Sequence, residues 1–256
     1  MKYFKFFGIS LAVFLGALAS CKKNTFSETE RSSPEGKALV KFGFFSMYPT
    51  STPLTVYQNN TKLSVSAASP YGYPGGGFNT GGNSYADYLA IDPGNVKFDV
   101  AIVYPNINFV QRWIYDTTML LGANKKYTIL MADTAVSTTS LLLEDDFPAV
   151  LDSGYALFRI GNLIPNSGSL DFYKNDSLIA SNVAYKSTTP LIKLPASLAD
   201  TFAIRPAGAP SGPAITATAY YRLATNTNKR IYTMVSRGYL GSTTPRNPTI
   251  SLIINK

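Results

Sequence analysis

Apolar and polar residues alternate in short runs along most of this chain. Val96, Phe98, Val100 and Ile102 share one parity, and Lys97 and Asp99 the other. This is the two-residue period of a strand with one buried face. Clusters of Pro, Gly, Asn and Ser separate the runs, and no long stripe of helical period competes with them. The pattern predicts many short strands and an all-β fold.

The pattern also occurs twice. Ala38-Leu39-Val40-Lys41-Phe42-Gly43 reads like Ala156-Leu157-Phe158-Arg159-Ile160-Gly161, and Leu54-Thr55-Val56-Tyr57 like Leu170-Asp171-Phe172-Tyr173. The pairs that follow, Asn59-Asn60 and Asn175-Asp176, suit the positive φ of a tight hairpin. Val100-Ala101-Ile102 matches Phe202-Ala203-Ile204, Tyr127-Thr128 matches Tyr232-Thr233, and Leu141-Leu142-Leu143 and Leu252-Ile253-Ile254 close the copies. One unit of about 100 residues therefore appears twice. The expected architecture is two tandem antiparallel β-sandwich (immunoglobulin-like) domains, over residues 37–148 and 149–256, with the boundary inside 144–153.

Ahead of the repeats, Lys2 and Lys5 introduce an apolar run over residues 6–18, broken only by Gly8, Ser10 and Gly16. A spanning helix needs about 20 apolar residues, so residues 1–20 read as a secretory signal peptide. Leu18-Ala19-Ser20-Cys21 resembles the bacterial lipobox. That resemblance implies cleavage before Cys21 and attachment of fatty acyl chains such as palmitate, at about 0.8 kcal/mol of membrane affinity per buried methylene. Lys22 stands where an aspartate retains some lipoproteins in the inner membrane, which points to the outer membrane and leaves its face open. Residues 21–36 then form the lipidated cysteine and a polar tether.

Composition narrows the chemistry. The chain has one cysteine and no histidine, which removes intrachain disulfides, Ser-His and Cys-His nucleophiles and His-ligated metals. Its net charge of +8 falls to about +6 without Lys2 and Lys5. The remaining cations are mostly scattered singly, with Lys22-Lys23 beside the anchor, and nothing resembles a nucleic-acid stripe, so no nucleic-acid partner is expected. Glu144-Asp145-Asp146 lacks the spacing of a calcium loop and reads as a solvated linker. No metal, no cofactor and no catalytic residue is assigned, and the oligomeric state is left open.

The opening Ala-Leu-x-(Lys/Arg) strand, the Leu-x-(Val/Phe)-Tyr strand with its polar hairpin and the later Tyr-Thr strand resemble bacterial envelope lipoproteins carrying the domain of unknown function 4397, which often hold two such units after a lipobox. The likeness covers nearly all of the mature chain. It implies fold and location, and it carries no activity or catalytic residues with it.

The copies differ in length. Tyr57 and Tyr173 lie 116 positions apart but Ile102 and Ile204 only 102, so the first copy holds about 14 extra residues. These fall in or near residues 69–85, where six glycines surround Tyr71, Tyr73, Phe78 and Tyr85. Such flat faces on a pliant backbone are candidate ligand contacts for sugar rings or apolar peptide, the alternative being a loop whose aromatics pack onto the sandwich. Trp113 is a fifth candidate, a stacking anchor if exposed and a core residue if buried. The glycines lack the Lys-Ser/Thr of a phosphate loop. The expected role is a non-catalytic binding or adhesion module for glycan or an envelope protein, with a structural spacer as the alternative. A carboxylate-based glycoside hydrolase is a third reading, for which Asp87, Asp92, Asp99 and Asp116 show no recognisable pairing.

Overall fold

A computed structural model describes residues 35–46, 54–63, 76–78, 88–104, 110–134, 137–197, 200–209, 221–223, 228–243 and 246–256. All of them belong to the compact unit Ser33–Lys256. Cys21, the leader and the tether as far as residue 34 lie outside the described residues. Every regular element described is a strand. The first repeat supplies β1 (Ala38–Phe44), β2 (Leu54–Gln58), β3 (Thr61–Lys62), β4 (Gly76–Phe78), β5 (Leu89–Ile91), β6 (Gly94–Tyr104), β7 (Val110–Leu121), β8 (Lys126–Ala132) and β9 (Thr139–Glu144). The second supplies β10 (Tyr155–Asn162), β11 (Leu170–Lys174), β12 (Ser177–Val183), β13 (Ser187–Thr188), β14 (Ile192–Pro195), β15 (Asp200–Pro206), β16 (Tyr221–Leu223), β17 (Ile231–Arg237) and β18 (Thr249–Ile254).

In each repeat two sheets enclose one core. The first pairs a sheet ordered β4-β1-β8-β9, with β5 also on β1, against a sheet ordered β3-β2-β6-β7. The second pairs β13-β10-β17-β18, with β14 also on β10, against β12-β11-β15-β16. Phe42, Val56, Phe98, Val100 and Ile129 fill the first core, and Phe158, Phe172, Phe202, Ile204 and Met234 fill the second. Most neighbouring strands run antiparallel, but β1 runs parallel to β8 and β10 parallel to β17. The expected antiparallel pairing holds for the other strand pairs described, and each repeat adds one parallel pair to it. A parallel pair needs a long crossover rather than a hairpin, and in each repeat the whole second sheet intervenes between the two strands.

Both hairpins form as their residues demand. Asn59 and Asn60 sit at φ 46° and 66°, Asn175 and Asp176 at 47° and 63°, the doubly positive geometry of a type I′ turn. Asn59 Oδ1 accepts the Lys97 amide at 2.9 Å, and Asn175 Oδ1 accepts the Thr201 amide at 2.9 Å. These matched contacts equate Lys97 with Thr201 and so Phe98 with Phe202. The strand register agrees, since Gln58 faces Phe98 and Lys174 faces Phe202. The repeats therefore align two residues away from the match of Val100 with Phe202, and the first is longer here by 12 residues rather than 14. A slip of two preserves the parity of every side chain, so apolar alternation cannot detect it.

The sheets containing β1 and β10 are buried on both faces. Ala38–Phe44 and Ile231–Arg237 are buried at every position, where alternation alone predicts one wet face. Their second faces meet each other: Phe45, Leu130, Ala132 and Leu143 of the first repeat pack with Leu163, Val235 and Ile253 of the second. The close approach requires Gly43, where a Cβ would stand 3.2 Å from Ile253 Cδ1 and 2.5 Å from the Phe45 ring.

Polar groups in this seam are tied to one another. Arg159 Nη2 donates to Asp145 Oδ1 at 2.5 Å and to Thr233 Oγ1 at 2.9 Å. Thr233 Oγ1 donates to Asn255 Oδ1 at 2.8 Å, and Asn255 Nδ2 reaches Thr128 Oγ1 at 3.2 Å. Asp145 Oδ2 accepts Thr128 Oγ1 at 2.5 Å and the Tyr88 hydroxyl at 2.9 Å. Lys41, wholly buried, donates to the Ile254 carbonyl at 2.6 Å and lies 3.9 Å from the centre of the Tyr88 ring. Burial, with the Asp145 charge added to it, pushes the Tyr88 hydroxyl well above the usual tyrosine range.

Asp133 makes a further crossing. It accepts hydrogen bonds from the Tyr185 hydroxyl and, at 2.6 Å, from Thr139 Oγ1, and it pairs with Lys186 Nζ at 2.7 Å. Burial raises its pKa, but the bonds from Lys186, Thr139 and Tyr185 outweigh burial and leave the carboxyl below its ordinary value.

Candidate functional site

The described surface carries a cleft of about 590 Å³ on the first repeat, lined by Asn60, Lys97, Asp99, Trp113, Ile114, Tyr115, Asp116, Ser137 and Thr138. Its floor is the face of β6 and β7 turned away from the core. Inward positions of β6 are Val96, Phe98, Val100 and Ile102, so Lys97, Asp99 and Ala101 point outward. The β7 register places Thr118 opposite Lys97, Asp116 opposite Asp99 and Trp113 opposite Ala101.

A bulge makes this arrangement. Tyr115 faces Val100 and lies in the core at 8% exposure. In a regular strand Trp113, two residues earlier, would share that face. Instead the register shifts between Val100 and Ala101, Ile114 is the extra residue, and Trp113 turns to the outer face at 55% exposure. Bulges re-aim a side chain in this way at the cost of regular pairing. The indole packs edgewise with Tyr57, ring centres 5.1 Å apart and planes at 62°, which holds its orientation.

The polar lining is mixed. Lys97 Nζ pairs with Asp99 at 2.8 Å, and the Asp99 side chain is only 7% exposed. The hydrogen bond that Lys97 donates to Asp99 is the main reason its ammonium is held above the usual lysine range, and Asp116 adds to it. Asp116 itself is exposed. Tyr115 reaches across to the first sheet, donating to Ser140 Oγ at 2.6 Å. Burial pushes its hydroxyl up, against the hydrogen bonds to Ser140 and Thr117.

The other candidates have separate fates. Tyr71, Tyr73 and Tyr85 lie outside the described residues. Phe78 belongs to β4, whose backbone pairs with β1 in the register Phe42 to Phe78. The middle of the glycine-rich segment is therefore an edge strand of the first repeat, at the place that β13 occupies in the second. Asp99 and Asp116, which show no pairing in sequence, are cross-strand neighbours. Asp145, read as a solvated linker residue, is buried in the seam against Arg159. Among the described residues no helix is long and apolar enough to cross a membrane.

A family model described as "Domain of unknown function (DUF4397)" matches residues 40–173, from the first strand of one repeat to the second strand of the next. No curated protein sequence matches the chain. Among solved structures, a crystal structure of a proposed adhesin from Bacteroides ovatus is similar over 87% of this chain and 94% of its own, at 9% identity and a TM-score of 0.21.

Proposed function

The chain belongs to the DUF4397 family, and from that premise we propose that it is a non-catalytic cell-envelope lipoprotein, held to the outer membrane through Cys21, that binds a glycan or protein in the Trp113 cleft. One observation carries the binding role: a backbone bulge turns the chain's single tryptophan out of the core and over a polar cleft. An exposed indole, steadied from one side and flanked by hydrogen-bonding groups, is the usual anatomy of a contact anchor. The leader and the lipobox-like Leu18-Ala19-Ser20-Cys21 support the anchoring.

The same cleft sets Asp99 and Asp116 opposite each other, which favours a second reading as a carboxylate-pair glycoside hydrolase. Against it, Asp99 is tied to Lys97 at 2.8 Å and Asp116 stands in water. Neither has the apolar enclosure that suits a general acid.

The test uses cells expressing the full chain, fed a clickable fatty acid and then presented with immobilised envelope glycans and proteins. Wild type should carry the label and adhere, Cys21→Ser should lose the label, and Trp113→Ala should keep the label and lose adhesion. Adhesion undiminished in Trp113→Ala would remove the cleft from the binding role, and no adhesion by wild type would leave the spacer role. Release of reducing sugar, abolished by Asp116→Asn, would establish the hydrolase instead.

A further inference from the structure

We propose that the ligand of the Trp113 cleft is a neutral carbohydrate, with one pyranose ring laid on the indole; this deepens the reading of that cleft as a binding site and rests on it. Charge is the first argument. The lining brings together one ammonium, Lys97, and two carboxylates, Asp99 and Asp116. Lys97 and Asp99 offset each other at 2.8 Å, and the exposed Asp116 leaves the lining net negative, which repels a sugar acid, sulfate or phosphate. A neutral ligand meets no such penalty.

Hydrogen-bonding capacity is the second argument. Carboxylates only accept and an ammonium only donates, whereas the Asn60 amide and the Ser137 and Thr138 hydroxyls do both. A ligand that satisfies such a set needs groups that donate and accept side by side. Each sugar hydroxyl offers one donor and two acceptor positions, so a ring of them matches the lining without leaving a buried charge unmet.

Shape is the third. A pyranose presents one face of C–H groups, each slightly positive, to the negative face of an aromatic ring. Trp113 is fixed edgewise on Tyr57 yet more than half exposed, so a flat apolar surface is ready before the ligand arrives. This lowers the ordering cost of binding. The cleft volume of about 590 Å³ lies in the range of small-molecule sites and suits one or two sugar units.

Trp113 is the only tryptophan among 17 tyrosines, so fluorescence excited where tryptophan absorbs and tyrosine does not reports on the cleft alone. In detergent, the chain is titrated with neutral oligosaccharides, with sialylated and sulfated ones, with amino-sugar oligomers and with basic or acidic peptides. Emission should shift to the blue, and acrylamide quenching should fall at least twofold, with neutral oligosaccharides only. Asp116→Asn should weaken that response about tenfold while far-ultraviolet circular dichroism stays unchanged. A response confined to charged sugars or to peptides would overturn the carbohydrate class and leave the binding cleft standing. Silence to every probe, with the chain folded, would overturn both.

Discussion

On the first repeat, the outward face of β6 and β7 carries Lys97, Asp99, Asp116 and Trp113 around an open cleft. On the second, the outward face of the matching sheet is tied up over β11 and β15, the counterparts of β2 and β6. Arg205 lies 4.4 Å from the centre of the Tyr173 ring, and Asp171 accepts the backbone amides of Asn182 at 2.7 Å and Gly208 at 2.9 Å. Where the repeats meet, by contrast, matched positions do matched work. Lys41 and Arg159 are the same place in β1 and β10, facing Thr128 and Thr233 on β8 and β17. Leu143 and Ile253 face those same threonines from β9 and β18, which equates Asp145 with Asn255 two residues on. The seam is thus nearly two-fold in plan, like a dimer interface within one chain, and the outer faces are where the copies part in chemistry.

The sharpest way to break the two-fold plan is at its cations. Arg159→Met leaves the Asp145 carboxylate buried without its partner and should cost about 3–5 kcal/mol. Lys41→Met takes the donor from the Ile254 carbonyl and the cation from the Tyr88 ring and should cost less, about 1–3 kcal/mol. Urea unfolding of both variants measures the gap, and equal costs would mean that the two positions are equivalent after all.

The contrast between seam and outer face predicts a second gap. Leu130→Ala opens a cavity in the seam and should cost about 2–5 kcal/mol. Trp113→Ala removes a half-exposed ring with one aromatic neighbour and should cost about 1 kcal/mol. Thermal melts compare them, and a larger loss from Trp113→Ala would make the indole a core residue in energetic terms.

A smaller effect separates the seam by pH. Tyr88 and Tyr185 are both held above the ordinary value of 10.0, chiefly by burial and then by Asp145 and Asp133 respectively. Their contribution is fully present below about pH 10 and is lost as pH rises, because the unfolded tyrosines ionise first. Stability measured from pH 9 to 11 should fall, and the Tyr88→Phe, Tyr185→Phe double variant should flatten that fall. An unchanged slope would assign it to other groups.

The smallest expected difference is between the hairpins. Asn59→Ala and Asn175→Ala each place a Cβ-bearing residue without a compensating side-chain bond at positive φ, at about 1–2 kcal/mol. Both asparagines make the same bond to the next strand, but Asn175 also donates to Asp200 at 3.1 Å and accepts from Thr201 Oγ1 at 3.0 Å, so its loss should be the larger of the two when measured by urea unfolding.

Much of this architecture is legible in the residues because it depends on local rules. Alternation marks β6, and the Asn-Asn and Asn-Asp pairs mark the hairpins. The repeat shows that each copy makes one sandwich. What alternation cannot show is anything that changes parity or adds a second buried face. The extra residue at Ile114 has no signature of its own, so Trp113 reads as core in a regular strand and turns outward in the bulged one. Lys41 and Arg159 look like solvent-side residues of half-buried strands, and only the packing of two sheets makes them interior. A signal was nonetheless present: a long cation at the same place in both copies, inside runs that are otherwise apolar.

The seam also fixes an order of events in the making of the molecule. Lys41 finds its carbonyl partner 213 positions downstream, and Ile253 and Asn255 of the last strand region complete what β1 and β8 begin. A growing chain can finish the first sandwich and still present one greasy sheet face until β18 has been made. Contacts this distant in sequence close slowly, and during that interval the nascent protein is exposed to aggregation. Until the closing strand arrives, that unfinished face needs shielding from other chains.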